Sequence, residues 1–242
     1  MWVLRLKLEE WNLNILRLLK NEWNDGKVIA LDLETSAMDP NNFLTDELIL
    51  AVSFAWRASG EPMEEKGISV KTIILDAENE ESEKELLIKL NEELEELSRS
   101  RSKPHGVVGY PLAVVGYNIR QYDIPLLVFK KEKYQKRYNL SLWEIGKIVD
   151  VTELAAIIDL YHILKYMRYK NLEGVLSAQE FKHLQIGRTR HLVPTNREEK
   201  GKEIYRLWKE SKETLKEYLE GEVHDFLLIA EYLVFGGGHR ER

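Results

Sequence analysis

Apolar positions along the chain change their period several times, and each change marks an element. Leu4, Leu8, Trp11, Ile15, Leu18 and Leu19 recur near helical spacing and predict an amphipathic extension over residues 1–25. Val3 to Leu8 also alternates, as an edge strand would. "KVIALDLET" carries an unbroken apolar run from Val28 to Leu31 and reads as a buried strand. "ELILAVSFAW" and "GISVKTIIL" read as two more, joined by a loop that holds Gly60, Pro62 and Gly67. "ESEKELLIKLNEELEELSR" then switches to helical period, with Leu86, Leu87, Leu90, Leu94 and Leu97 as its stripe.

"AVVGYN" predicts a short fourth strand, and "DIPLLVFKKEKYQK" a helix that tolerates Pro125 in its first turn. "KIVDV" reads as a fifth strand, residues 152–169 as helix and "NLEGVLSAQE" as a short helix. Residues 181–202 are polar, basic and irregular, and a long helix runs from about Ser211 to Phe235. Strands interleaved with helices in this order predict an α/β fold, a mixed five-stranded sheet flanked by helices. The first three strands are expected to be antiparallel. One domain should occupy residues 26–235, with 236–242 as a flexible tail.

Composition changes this picture little. Hydrophobic residues make up 44% and charged residues 31%, which excludes a disordered chain. No apolar run approaches the roughly 18 residues of a membrane span, and the N-terminus lacks a secretion signal. The absence of cysteine excludes disulfides and thiolate metal sites. These features lead to the expectation of a cytoplasmic protein, and the wealth of Glu, Lys and Ile to that of a thermophilic source. Net charge is −6 but uneven. Residues 120–210 hold 18 basic and 12 acidic side chains, whereas residues 1–119 hold 13 and 22. A basic middle could meet phosphates while acids elsewhere hold metal.

Three stretches carry candidate chemistry. Asp32 and Glu34 are two apart in a strand and so share one sheet face. Unpaired, two like charges there are costly. Either a divalent cation lies between them, or they sit in water or pair with lysines. Asp123 directly precedes a helix and reads by itself as a cap. In "YLEGEVHDFLLIAEYL", Tyr218, Glu222 and Asp225 fall on one helix face at spacings of four and three. That is either a solvated acidic stripe or the last piece of a metal site.

Taken together, "ALDLETS" and "GYNIRQYDIPLL" resemble the first two motifs of the DnaQ-like 3′–5′ exonucleases, the DEDD group of the ribonuclease H-like superfamily. The form is most similar to the proofreading domains of family B DNA polymerases and their stand-alone relatives. The resemblance covers residues 27–235 and is concentrated in these motifs. "YLEGEV" matches the third motif of the tyrosine-bearing group, with Tyr218 on its tyrosine and Glu222 on its aspartate. Asp225 is the alternative ligand, but lacks tyrosine or histidine at the required offset. Glutamate for aspartate is a departure from the pattern. It lengthens one ligand by a methylene, which octahedral magnesium tolerates poorly.

The resemblance implies a two-metal phosphodiesterase. Asp32, Glu34, Asp123 and Glu222 would hold two divalent cations, Mg2+ or Mn2+, and Tyr218 would orient the attacking water. Thr35 and Asn118 would contact the terminal nucleotide, and Gly221 would be the small residue beside the metals. Arg188, Arg190 and His191 form a basic loop able to reach substrate. The implied partner is a single-stranded nucleic acid 3′ end, DNA or RNA, with a homodimer or a polymerase or repair partner as further expectations and no membrane. A weakened exonuclease-like module that binds nucleic acid or protein is the alternative implication.

Overall fold

The computed structural model describes residues 20, 23, 28–36, 47–100, 113–149, 157–167, 169 and 171–236. Strand β1 (Val28–Thr35) is the pivot of the fold. It pairs antiparallel with β2 (Ile49–Arg57), which pairs antiparallel with β3 (Ile68–Ile74). On its other side β1 pairs parallel with β4 (Ala113–Gly116), and β4 pairs parallel with β5 (Ile157–Asp159). The order is β3-β2-β1-β4-β5, a mixed five-stranded sheet as expected, with the first three strands antiparallel.

Helix α1 (Glu80–Ser100) follows β3, and α2 (Asp123–Tyr138) and α3 (Trp143–Val149) follow β4. The short α4 (Leu160–Tyr166) and α5 (Leu172–Leu176) lead to two 3-10 turns, Gln179–Leu184 and Arg190–Leu192. Helices α6 (Arg197–Glu210) and α7 (Lys212–Phe235) complete the described chain. Among the described residues no helix is long and apolar enough to cross a membrane.

The pleat divides the core in two. Ile29, Leu31 and Leu33 join the apolar stripe of α1, Leu86 to Leu97, and Leu126 and Leu127 of α2. Val28 and Ala30 face the other way, with Val115, Ile158 and the second half of α7. Asp32 and Glu34 share the parity of Val28 and Ala30, so they lie on the α7 side of the sheet. Within α7, Phe226, Leu227, Leu228, Ile229 and Ala230 are all buried, so the second half of this helix is covered all round.

Two buried ion pairs tie the layers together. Arg57 of β2 meets Glu231 of α7 through Nε at 2.9 Å and Nη2 at 2.5 Å. Glu231 also accepts from Trp23 Nε1 and the Met63 amide. On the opposite face Lys130 meets Glu83 at 2.8 Å, and Tyr134 and the Ile49 amide donate to the same carboxylate. Each carboxylate is thereby satisfied by several donors, the condition for a buried charge to persist.

Three element expectations need correction. Lys147 to Val149 of "KIVDV" ends helix α3 instead of forming a strand, and Asp150 and Val151 lie outside the described residues. The fifth strand is Ile157–Asp159, inside a stretch expected to be helical. Apolar runs this short fit either state, and only pairing with β4 makes one a strand. The polar segment 181–202 is more ordered than its composition implies, because α6 begins at Arg197. The extension expected over 1–25 lies outside the described residues except for Lys20 and Trp23, as does the tail beyond Gly236.

Candidate functional site

Each element delivers its acid by a local rule. Asp32 and Glu34 sit at the C-terminal end of β1, and the register against β2 shifts between Glu34 and Thr35. The residue passed over is Leu50 of β2, and Thr35 pairs with Ile49 beyond the bulge. After β4 the chain reverses at Asn118, whose φ of 61° is left-handed, a region asparagine enters more readily than most residues. The reversal starts α2 at Asp123, whose Oδ1 accepts the Leu33 amide at 3.1 Å. This bond ties the start of α2 to β1. On α7, Tyr218, Glu222 and Asp225 are all buried.

Asp32, Glu34, Asp123, Tyr218 and Glu222 are close enough to perturb one another. The Asp32 carboxyl is held well above the usual carboxylate range, first by burial and then by the like charges of Asp123 and Glu34. Burial likewise pushes Asp123 up to about 7, although the Leu33 N–H favours its charged form. Glu222 is raised by burial, against the pull of Arg190 and Lys200. Burial moves the Tyr218 phenol well above its ordinary value, so it is a proton donor at neutral pH and not a base.

Two cationic side chains enter this cluster. Lys200 of α6 places Nζ 2.7 Å from Glu34 Oε1 and 5.4 Å from the centre of the Tyr218 ring. Burial opposes its charge, but Glu34, Tyr218, Glu222 and Asp32 together hold its ammonium well above the lysine range. Arg190 places Nε 2.7 Å from Glu222 Oε1. Neither approach lies along a hydrogen-bonding direction, so Glu34 Oε1 and Glu222 Oε1 have no directed donor. Asp32 Oδ2 and Asn118 Oδ1 are in the same position. Buried acceptors in this condition are rare in folded proteins and call for a physical reason.

These residues suit a hard divalent cation in chemistry and in charge. Oxygen donors alone line the cluster, three buried carboxylate oxygens lack a directed donor, and four acids face two bases. Their present placement is not yet a ligand shell. Among the described residues no three acids or histidines converge closely enough to hold one ion, and Glu34 and Glu222 instead meet Lys200 and Arg190.

Asp225 turns elsewhere. Its Oδ2 accepts the Gly187 amide at 2.8 Å, which pins the turn before the second 3-10 segment. Gly221 also serves this turn and not the acids: a Cβ there would stand 2.0 Å from Thr189 Oγ1. His183 is tilted against Tyr232, with ring centres 5.5 Å apart, and His191 Nδ1 contacts the Arg188 carbonyl.

Two contributors were missed by pattern. Lys200 lies in a polar segment with no local signal. Asp159 ends β5, is fully buried, and accepts from the amides of Asn118 at 2.9 Å and Arg120 at 3.2 Å. It also caps α4 through the Tyr161 amide. An acid closing the apolar run "AAIID" just before a helical stretch was its one visible sign.

The mixed sheet in this order, flanked by helices, is compatible with a ribonuclease H-like fold. A solved structure with the same fold is the family B DNA polymerase from the hyperthermophilic archaeon Pyrobaculum calidifontis, at TM-score 0.55 and 16% identity. The match covers 86% of this chain and 24% of the polymerase, so the chain corresponds in length to about a quarter of that protein. No protein-family model matches the sequence. No curated protein matches it either.

Proposed function

We propose that the chain is a metal-dependent nuclease of the DnaQ-like, tyrosine-bearing exonuclease type, removing nucleotides from single-stranded DNA or RNA 3′ ends. The observation that carries this reading is that Asp32, Glu34, Asp123 and Glu222, from three elements, lie near one another, with the carboxyls of Asp32 and Asp123 raised first by burial and then by neighbouring acids. A site whose four acids outnumber its two bases, so that two carboxyls resist ionisation, is one in which a divalent cation would favour the charged forms. The four acids would hold Mg2+ or Mn2+, which stabilise charge on a phosphodiester and acidify bound water. Tyr218, kept protonated, donates a hydrogen bond that orients the nucleophile. Asn118, with its Oδ1 unmatched, offers an acceptor to a terminal sugar hydroxyl. Thr35, beside the bulge, is the proposed contact to the last nucleotide. The polymerase likeness supports the fold and a nucleic-acid setting, at an identity too low to carry activity.

A second reading has its own support. Lys200 and Arg190 already sit 2.7 Å from Glu34 and Glu222, as internal counter-ions would in a module that binds without cutting. One experiment separates the two. Single strands of DNA and RNA labelled at the 5′ end are incubated with Mg2+ or Mn2+ and wild-type protein or Asp32→Ala. A ladder shortening from the 3′ end, lost in the variant, supports the nuclease. Binding without a ladder in either metal supports the module and rejects the nuclease.

A further inference from the structure

The glutamate that replaces aspartate on α7 reaches an arginine. Arg190 stands in the second 3-10 turn, and its side chain is four-fifths buried against Glu222. The segment bearing it is strapped to α7 at three further points. The Gly187 amide donates to Asp225, the Thr189 hydroxyl approaches the Tyr218 carbonyl at 3.4 Å, and Thr189 packs into the space left by Gly221. The strap is therefore built to hold Arg190 at the acid cluster, within the fields of Glu222, Tyr218 and Asp225.

The contact with Glu222 is one of charge and not a directed hydrogen bond: Arg190 Nε lies 2.7 Å from Oε1, yet both atoms are buried without a hydrogen-bond partner. Its two terminal NH2 groups have no hydrogen-bond partner among the described residues. A guanidinium held beside a carboxylate by charge, with no directed hydrogen bond of its own, is arranged to receive a phosphate through two parallel N–H bonds. Arg57, whose pair with Glu231 serves structure, differs: its Nε and Nη2 make two directed hydrogen bonds to Glu231, and its terminal nitrogens also donate to the Lys66 and Glu64 carbonyls.

We propose that Arg190 is a substrate-phosphate clamp: Glu222 anchors its Nε edge, and the free fork grips a backbone phosphate of the single strand entering the site. The extra methylene of Glu222 is then what lets α7 reach the strap. This rests on the reading that the site takes nucleic acid, but not on turnover or on bound metal.

The test measures binding without cleavage. Anisotropy titrations of a fluorescent single-stranded oligonucleotide in EDTA, over a series of salt concentrations, compare wild type with Arg190→Gln, Arg190→Lys and Arg206→Gln. Among the described residues Arg206 pairs only with Glu203 and Glu210, on an exposed part of α6, so it serves as the control. Loss of a charge-assisted fork should weaken Arg190→Gln roughly tenfold or more. Its slope of log affinity against log salt should fall by about 0.7, one phosphate contact. Arg190→Lys should keep the slope and bind between the two, and Arg206→Gln should match wild type. Arg190→Lys also preserves charge and bulk should the glutamine variant fail to fold. Wild-type affinity and slope in Arg190→Gln would overturn the clamp while leaving nucleic-acid binding intact. Tighter binding by that variant would overturn it too, in favour of an arginine that blocks the site. No binding by wild type even at low salt would defeat the nucleic-acid reading itself.

Discussion

Replacing Asp123 by asparagine tests the electrostatics of the candidate site without any substrate. Asp123 is 5% exposed, and its carboxyl titrates at about 7 in the folded chain against 3.8 ordinarily. Below 3.8 both folded and unfolded chains carry the proton, and stability is greatest. As pH rises toward 7 the unfolded chain ionises while the folded one does not, so stability falls across that window and then levels. Each tenfold difference in proton affinity is worth about 1.4 kcal/mol, so the gap from 3.8 to about 7 sets a ceiling of about 4 kcal/mol at pH 8.

Asparagine removes the charge, keeps an oxygen for the Leu33 amide, and adds donors beside a cluster rich in acceptors. In EDTA at pH 8 the variant should therefore melt higher than wild type, by at most roughly 8–16 °C for a chain of this size. The difference should vanish near pH 4. Added Mg2+ or Mn2+ should stabilise wild type at pH 8 and hardly at pH 5, where protons compete for the same oxygens. It should do little for the variant at either pH. Melting curves by circular dichroism across this range, with and without metal, read all of these quantities. An Asp123→Asn protein no more stable than wild type at pH 8, or a gap that widens toward acid, would refute the reasoning.

Other outcomes follow from single contacts. Gly221→Ala should destabilise by about 1–3 kcal/mol, although alanine ordinarily favours a helix, because its Cβ would meet Thr189 Oγ1 at 2.0 Å; Thr189→Gly in the same chain should recover most of the loss in a urea titration. Glu231→Ala strands Arg57 in the core and should cost about 3–5 kcal/mol by the same measurement. Lys200→Gln removes the ammonium beside Glu34, so its melting temperature in EDTA should fall and its response to Mn2+ should exceed that of wild type; an unchanged response would mean that Lys200 does not compete for the cation position. Asp159→Asn should lower Asn118-dependent oligonucleotide affinity severalfold while leaving the far-ultraviolet spectrum intact, since Asp159 holds the Asn118 turn through two amides.

Much of the architecture could be read from local pattern. Strands β1 to β3 and helix α1 are long, and their periods of two and 3.6 are strong, so local preference and final structure agree. Short elements were different. Ile157–Asp159 is a strand because β4 lies beside it, and three residues carry no period of their own. The acids of the candidate site were visible because they sit at fixed offsets from apolar runs: Asp32 and Glu34 at a strand's end, Asp123 at a helix start, and Glu222 one turn after Tyr218.

What the sequence left open was which charges face which. Glu222 and Asp225 lie on one helix face and are equally buried, yet one meets Arg190 beside the cluster and the other holds the Gly187 amide. Lys200, 166 positions from Glu34, comes to it because α6 packs against β1. Apolar order along a chain determines which faces are buried, since burial depends on period. The pairing of charges depends on distances between elements remote in sequence, and here only the packing of α6, α7 and the 187–192 strap against β1 decided it.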